Sequence, residues 1–241
     1  MFKLKSSAKR LLAISALSLV SVVALADDAS IRKNLKERFP NFPAIDEVSK
    51  TPIPGIFEVR VNGTEIIYTD ADANHMIQGS ILDTKARVNL TEERTTKLTA
   101  IAFSALPLKD AFTIVRGNGK RKIAVFEDPN CGYCKRFEAN MQKVDNATVY
   151  MFLYPILGAD SVTKSNHLWC AKDKAKAWQD YMLRDVAVVP GTCDTAAVAR
   201  NVEFGKKYKI TGTPTLIFAD GTRVPGAIDA GQVEKILASV K

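Results

Sequence analysis

Two of the four cysteines in this 241-residue chain are separated by two residues, in Asn130-Cys131-Gly132-Tyr133-Cys134. At a strand-to-helix junction this spacing suits a disulfide that is made and broken, because the two sulfurs then lie one helical turn apart on the same face. The nucleophile of thiol–disulfide exchange is the thiolate, so an attacking cysteine needs surroundings that lower its pKa below the free value of about 8.5. Asn130 is a favoured N-cap type, and Pro129 keeps the approach to the helix non-helical. A helix starting there would put Cys131 at its N-terminus, where unpaired backbone N–H groups and the macrodipole stabilise a negative sulfur. Cys131 is thus the candidate attacking thiol. Cys134, one turn deeper, is the candidate resolving thiol, and Gly132 and Tyr133 between them tune the pair.

A lone CxxC can also be half a zinc site. Such a site wants a second close pair, whereas Cys170 and Cys193 are far apart, and His75 and His167 lack partners at ligand spacing. No metal site is expected. Thr213-Pro214 supplies the second chemical element. A proline opening a strand after Thr211-Gly212 can take the cis form, which X-Pro bonds reach far more easily than other peptide bonds. That bend would present the backbone of Thr213 to an extended peptide and lay it across the Cys131 sulfur.

The elements that position these residues are legible in outline. Lys122 to Glu127 reads as a short buried strand, the chain from Cys131 as a helix, and Thr148 to Tyr154 as another strand. A long helical section follows from about Ser161 to Lys206. Thr215 to Ala219 and Thr222 to Val224 form a hairpin around Asp220-Gly221, and Gln232 to Val240 closes the chain as a helix. This is the element order of a thioredoxin fold with a helical insertion. Trp169 and Trp178 read as core, and Lys172, Lys174 and Lys176 as a solvated face.

Upstream, Ile31, Leu35 and Phe39 form one helical stripe ended by Pro40 and Pro43. Gly55 to Val61 alternates, Asn62-Gly63 turns, Thr64 to Thr69 resumes, and Asn74 to Ile81 adds a strand, giving a small antiparallel sheet. Such a unit is too small to cover both faces of its sheet well. Dimerisation through it and packing of the second unit over it are equally good solutions. A helix over Thr91 to Leu106, closed by Pro107, links the two units.

The front end carries Lys3, Lys5, Lys9 and Arg10, an apolar run from Leu11 to Leu25, and Ala24-Leu25-Ala26 before Asp27. This is the pattern of a cleavable secretory signal, residues 1–26, cut before Asp27. Losing those four basic residues leaves +4 of the formal +8. No arginine-rich stripe interleaved with aromatics is present, so nucleic acid is not an expected partner. An exported chain with an even cysteine count is expected to form disulfides, and four cysteines allow three connectivities.

Cys131-Gly132-Tyr133-Cys134 together with Tyr208-Lys209-Ile210-Thr211-Gly212-Thr213-Pro214-Thr215 resembles the thioredoxin superfamily. Leu168-Trp169-Cys170-Ala171-Lys172-Asp173 and His75-Met76-Ile77-Gln78-Gly79 extend the similarity to the DsbC/DsbG family of periplasmic disulfide isomerases. The resemblance implies an α/β thioredoxin-like domain with helical insertion at 109–241. A small α+β, cystatin-like dimerisation domain at 27–90 and a linker helix at 91–108 precede it. It further implies a V-shaped homodimer whose dithiols face a cleft for misfolded, disulfide-containing exported proteins, and a DsbD-type membrane reductant. By the same resemblance Cys131 and Cys134 are the redox pair, Thr213-Pro214 the cis-proline element, and Cys170–Cys193 a structural disulfide. No cofactor beyond the Cys131–Cys134 disulfide is implied.

One position departs from the thioredoxin pattern: where many thioredoxins place a buried acid six residues before the first cysteine, this chain has Val125. Glu127 and Asp128 read as a solvated rim at the strand end, which leaves solvent to take the proton of Cys134. Isomerisation is the leading function. A narrow-specificity reductase of oxidised cysteines, as in the DsbG branch, and a dimeric holdase are the alternatives, and the small Thr213 fits the DsbC branch better.

Overall fold

The computed structural model describes residues 19–240, with side chains from residue 27. The chain divides between Leu98 and Thr99 into two compact units. The expected secretory signal falls for the most part outside the described residues. Among those described, no helix is long and apolar enough to cross a membrane.

In the first unit, helix α1 (Leu19–Arg38) is followed by β1 (Ile45–Lys50), β2 (Ile56–Val61), β3 (Glu65–Asp70) and β4 (Met76–Ile77), which pair in sequence order as one antiparallel sheet. Alternation in β2 buries Phe57, Val59 and Val61, and these pack with Ile31 and Leu35 of the α1 stripe. Phe39, the third member of that stripe, is left 47% exposed, because the helix ends at Arg38 ahead of Pro40. β1 was not evident in the sequence: its Asp46-Glu47 and Ser49-Lys50 dilute the apolar signal. The strand expected over Asn74 to Ile81 shrinks to the two residues of β4. The chain then makes a separate two-stranded ribbon of β5 (Leu82–Asp83) and β6 (Val88–Asn89) before α2 (Leu90–Thr99). Charge, not apolar area, ties α2 to the sheet: Arg94 donates to Glu58 at 3.0 Å and to Glu47 at 2.8 Å, and Glu47 also accepts from Arg60 at 3.1 Å.

The second unit opens differently from the expected continuous helix. Beyond α2 the chain extends and makes two short 3-10 turns, Phe103–Ala105 and Leu108–Asp110. This inserts Ile101 and Leu106 into a core, with the Ile101 N–H bonded to the Gly221 carbonyl. The mixed sheet runs in the order β11-β10-β8-β9-β7, built from β7 (Phe112–Arg116), β8 (Arg121–Glu127), β9 (Ala147–Leu153), β10 (Thr215–Phe218) and β11 (Arg223–Pro225). Only β8 and β9 are parallel, joined by α3 (Gly132–Met141) as a crossover. The edge strand β7 escaped the sequence reading, since Thr113, Val115 and Arg116 leave it half exposed.

Alternation along β8 feeds two cores. Ile123 and Val125 join Phe137 and Met141 of α3, Trp178 and Met182 of α5 (Lys174–Arg184), and Val233 and Leu237 of α7 (Ala230–Ser239). Ala124 and Phe126 face the other way, where Phe126 stacks on Phe152 with ring centres 4.5 Å apart. The expected long helical section resolves into α4 (Ala159–Trp169), α5 and α6 (Ala196–Lys207). Asp185 caps α5 with a left-handed backbone, and residues 185–195 are irregular. Gly205 of α6 lies so close to Tyr154 that a methyl group there would overlap the phenol ring, whose hydroxyl donates to the Ile210 carbonyl at 2.7 Å.

Candidate active site

The dithiol sits where β8 hands over to α3. Asp128 bonds the turn together: its Oδ1 accepts from the Asn130 N–H at 2.8 Å and the Ser161 hydroxyl at 2.7 Å, and its Oδ2 from the N–H groups of Ile156 and Leu157 at 2.8 and 2.9 Å. Four donors on one buried carboxylate fix the turn to the start of α4. The helix begins one residue later than the sequence suggests. Cys131, not Asn130, is the N-cap: its backbone is extended, and its Sγ accepts the Cys134 N–H at 3.2 Å. Asn130 is drawn away to α4, donating to Asp160 at 2.8 Å and accepting from Lys164 at 2.8 Å.

On its other side the Cys131 thiol donates to the Thr213 carbonyl at 3.3 Å. The Thr213–Pro214 peptide bond is cis. The Cys131 sulfur therefore lies between a helix N-terminal N–H, which faces negative charge as it develops on sulfur, and a backbone segment that leads into β10. Cys131 is 5% exposed and Cys134 wholly buried, so a partner molecule meets the first sulfur and not the second. Both are free thiols in this structure. Desolvation pushes the Cys134 thiol far above its ordinary pKa.

Gly132 is exposed and a Cβ there would meet nothing within 4 Å, while Tyr133 is 63% exposed with the Arg136 guanidinium over its ring. Lys135 and Lys164 flank the Tyr181 ring at 5.2 and 5.6 Å. The rim of the site is aromatic around an open glycine, with Lys135 paired to Asp185 and Lys164 to Asp160.

Cys170 and Cys193 form a disulfide that closes the irregular segment between α5 and α6 onto the end of α4. His167 contacts Gly191 in the same corner, and His75 pairs with Asp70 in the first unit. Among the described residues no group of three or more His, Cys, Asp or Glu could hold a metal ion.

The expectation of a solvated rim at Glu127-Asp128 is overturned: both are 0% exposed. β8 does not end at the surface. It runs under the N-terminus of α3, where Glu127 is enclosed. Glu127, two residues beyond Val125, points to the α3 side of the sheet. There it meets Glu138, whose Oε1 accepts the Trp178 indole N–H at 2.9 Å. Burial, and then the charge of Glu138, hold the Glu127 carboxyl well above the usual carboxylate range. The signal was available: Glu127 continues the Ile123, Val125 alternation, and Glu138 lies four residues after Cys134, on its helical face.

Residues 108–241 match the family described as thioredoxin-like domain, and residues 22–92 the disulfide bond isomerase protein N-terminal domain. A probable thiol:disulfide interchange protein DsbC of Bordetella parapertussis is 41% identical over 205 residues, spanning 85% of this chain and 72% of the relative. The thiol:disulfide interchange protein DsbC of Escherichia coli K12 is 32% identical over 216 residues, 87% of each chain. A crystal structure of a disulfide interchange protein from Neisseria gonorrhoeae superposes with a TM-score of 0.53 at 42% identity, covering 56% of this chain and 97% of that one. With these similarities spanning both units and the dithiol in a thioredoxin-like frame, the chain belongs to the DsbC family of thiol:disulfide interchange proteins.

Proposed function

We propose that this chain isomerises incorrect disulfides in exported proteins, with Cys131 as attacking and Cys134 as resolving thiol. The observation that carries this reading is the Cys131 sulfur at the start of α3, held by the Cys134 N–H and facing the Thr213 carbonyl. The Cys131 thiolate attacks one sulfur of a substrate disulfide. A Cys131–substrate bond forms, the substrate S–S bond breaks, and the second substrate sulfur leaves as a thiolate. A different substrate thiolate then attacks the mixed disulfide, forms the new pairing and releases Cys131. No net oxidation occurs. If the substrate stalls, Cys134 displaces it instead, leaving substrate reduced and the Cys131–Cys134 disulfide oxidised, which calls for a reductant such as a DsbD-type membrane partner.

Gly132, Tyr133 and the Thr213-Pro214 backbone form the docking surface in this reading, with an extended peptide bonding Thr213. Domain limits of 27–90, 91–108 and 109–241, a periplasmic location and cleavage before Asp27 belong to the same proposal. So does a homodimer through the first unit, supported by its exposed edge strand β4, where Met76 and Ile77 are 42% and 48% exposed. Cys170–Cys193 serves stability.

The test is reactivation of a scrambled multi-disulfide protein by catalytic amounts of the reduced chain, with Cys131→Ala in parallel. Recovery that disappears in the variant supports isomerisation at Cys131. Reduction of simple disulfides without recovery would replace it with the reductase reading. Aggregation suppression fully retained by the Cys131→Ala, Cys134→Ala double variant would establish a holdase function separate from the chemistry.

A further inference from the structure

A thiol sealed from solvent cannot ionise by handing its proton to water, and Cys134 is 0% exposed. Its reaction as a resolving thiol requires an internal proton acceptor. Asp128 is unsuited, because both of its oxygens are filled by four donors. Glu127 is different. It is equally buried, yet neither of its oxygens meets a donor group, and Oε2 of Glu138 is likewise without one. The group that shares its buried surroundings is another carboxyl, that of Glu138, and two carboxyls enclosed together are not both charged, so the pair holds a proton. The three groups converge by construction: Glu127 points to the α3 face of the sheet, and Glu138 lies one turn beyond Cys134 on α3.

We propose that Glu127 and Glu138 are a proton relay for Cys134, holding one shared proton at rest and taking a second when Cys134 attacks. This rests on the resolving role given to Cys134 above. The Trp178 indole N–H on Glu138 puts the resting negative charge there and the proton on Glu127. In the resolving step the Cys134 proton passes to Glu127, whose own proton passes to Glu138. The Cys134 sulfur forms the bond to Cys131, the Cys131–substrate bond breaks, and the substrate leaves as a thiolate. When the disulfide is reduced again, Cys134 departs as a thiolate and takes a proton back from the now neutral pair. The titratable groups facing Glu127 are Glu138 and Cys134 on α3 and Cys131 at its N-cap, and α5 contributes the uncharged Trp178 to Glu138.

An aromatic disulfide that releases a coloured thiolate separates the steps. Mixed with the reduced protein, its first release reports attack by Cys131 and its second reports resolution by Cys134. Glu127→Gln is expected to slow the second release by about a hundredfold near neutral pH, the lower end of what a positioned general base contributes. Its rate should then climb with pH as hydroxide replaces the relay, and Glu127→Asp should recover part of the loss. A second release in Glu127→Gln within about twofold of the parent, with an unchanged pH profile, overturns the relay. If the first release also fails, the resolving assignment fails with it, and the two outcomes are distinct. Should Glu127→Gln not fold, infrared difference spectra of the unmodified protein between dithiol and disulfide decide the matter. A protonated-carboxyl band that shifts between the states supports the relay, and its absence overturns it.

Discussion

The chain carries two cysteine pairs that differ in almost every physical respect. Cys131 and Cys134 are three residues apart, buried at the start of a helix, and free; Cys170 and Cys193 are 23 apart, joined, and set at the edge of an irregular segment. The first pair closes so small a ring that joining it removes little freedom from the unfolded chain. The second removes much more, since loop entropy grows with the length enclosed. Separation along the chain thus sets what each bond does to the fold: the near pair can open and close at little cost, and the far pair contributes stability only while it stays closed.

The sharpest way to break this contrast is to remove one pair at a time. Cys131→Ala should reduce catalysed exchange to background, more than about a thousandfold, with little change in melting temperature. The double variant Cys170→Ser, Cys193→Ser should do the reverse. It should lose about 3 kcal/mol in denaturant unfolding while the exchange rate per folded molecule stays close to the parent's. A double serine variant of unchanged stability and lost exchange would invert the assignment.

A second contrast lies between the neighbours Glu127 and Asp128. Asp128→Ala leaves four donors unanswered around the active-site turn, and a loss of about 3 kcal/mol is expected by chemical denaturation, with slower exchange. Glu127 responds with the opposite sign. Its folded pKa is raised above that of the unfolded chain, mainly by burial. Between the two values the folded protein holds the extra proton, so raising the pH through that window erodes stability. Glu127→Gln cannot titrate and should be more stable than the parent at pH 8, by on the order of 1 kcal/mol, with the gap closing towards pH 4. A gap that widens on acidification would contradict a neutral buried Glu127. The smallest effect belongs to the first unit. Arg94→Met removes half-exposed ion pairs and should cost about 0.5 kcal/mol, less in high salt.

What was legible in the sequence follows from how each signal is encoded. β8, α3, β9, the hairpin and α7 carry apolar periodicity or turn residues, and their positions emerged within a residue or two. β1 and β7 are half-solvated strands whose polar positions hide the alternation, so only pairing partners reveal them. The helix over Thr91 to Leu106 has the right residues, yet it yields after Thr99 because burial of Ile101 and Leu106 against the second sheet outweighs local propensity. The N-cap at Cys131 in place of Asn130 reflects competition: α4 offers Asn130 better partners than the helix it precedes. Burial of Glu127 was the hardest to foresee, since a charged residue at a strand end is ordinarily at the surface and only the packing of α3 over the sheet decides otherwise.

The contact between Gly205 and Tyr154 extends the consequences of packing to the loop beside Cys131. The Tyr154 hydroxyl holds the Ile210 carbonyl, three residues before the Thr213 carbonyl that faces the Cys131 sulfur. A single added methyl at residue 205 would tilt the phenol, loosen its grip on residue 210 and let the loop drift before it reaches the proline. The place of the Thr213 carbonyl is therefore set from behind, by the one position of α6 with no side chain.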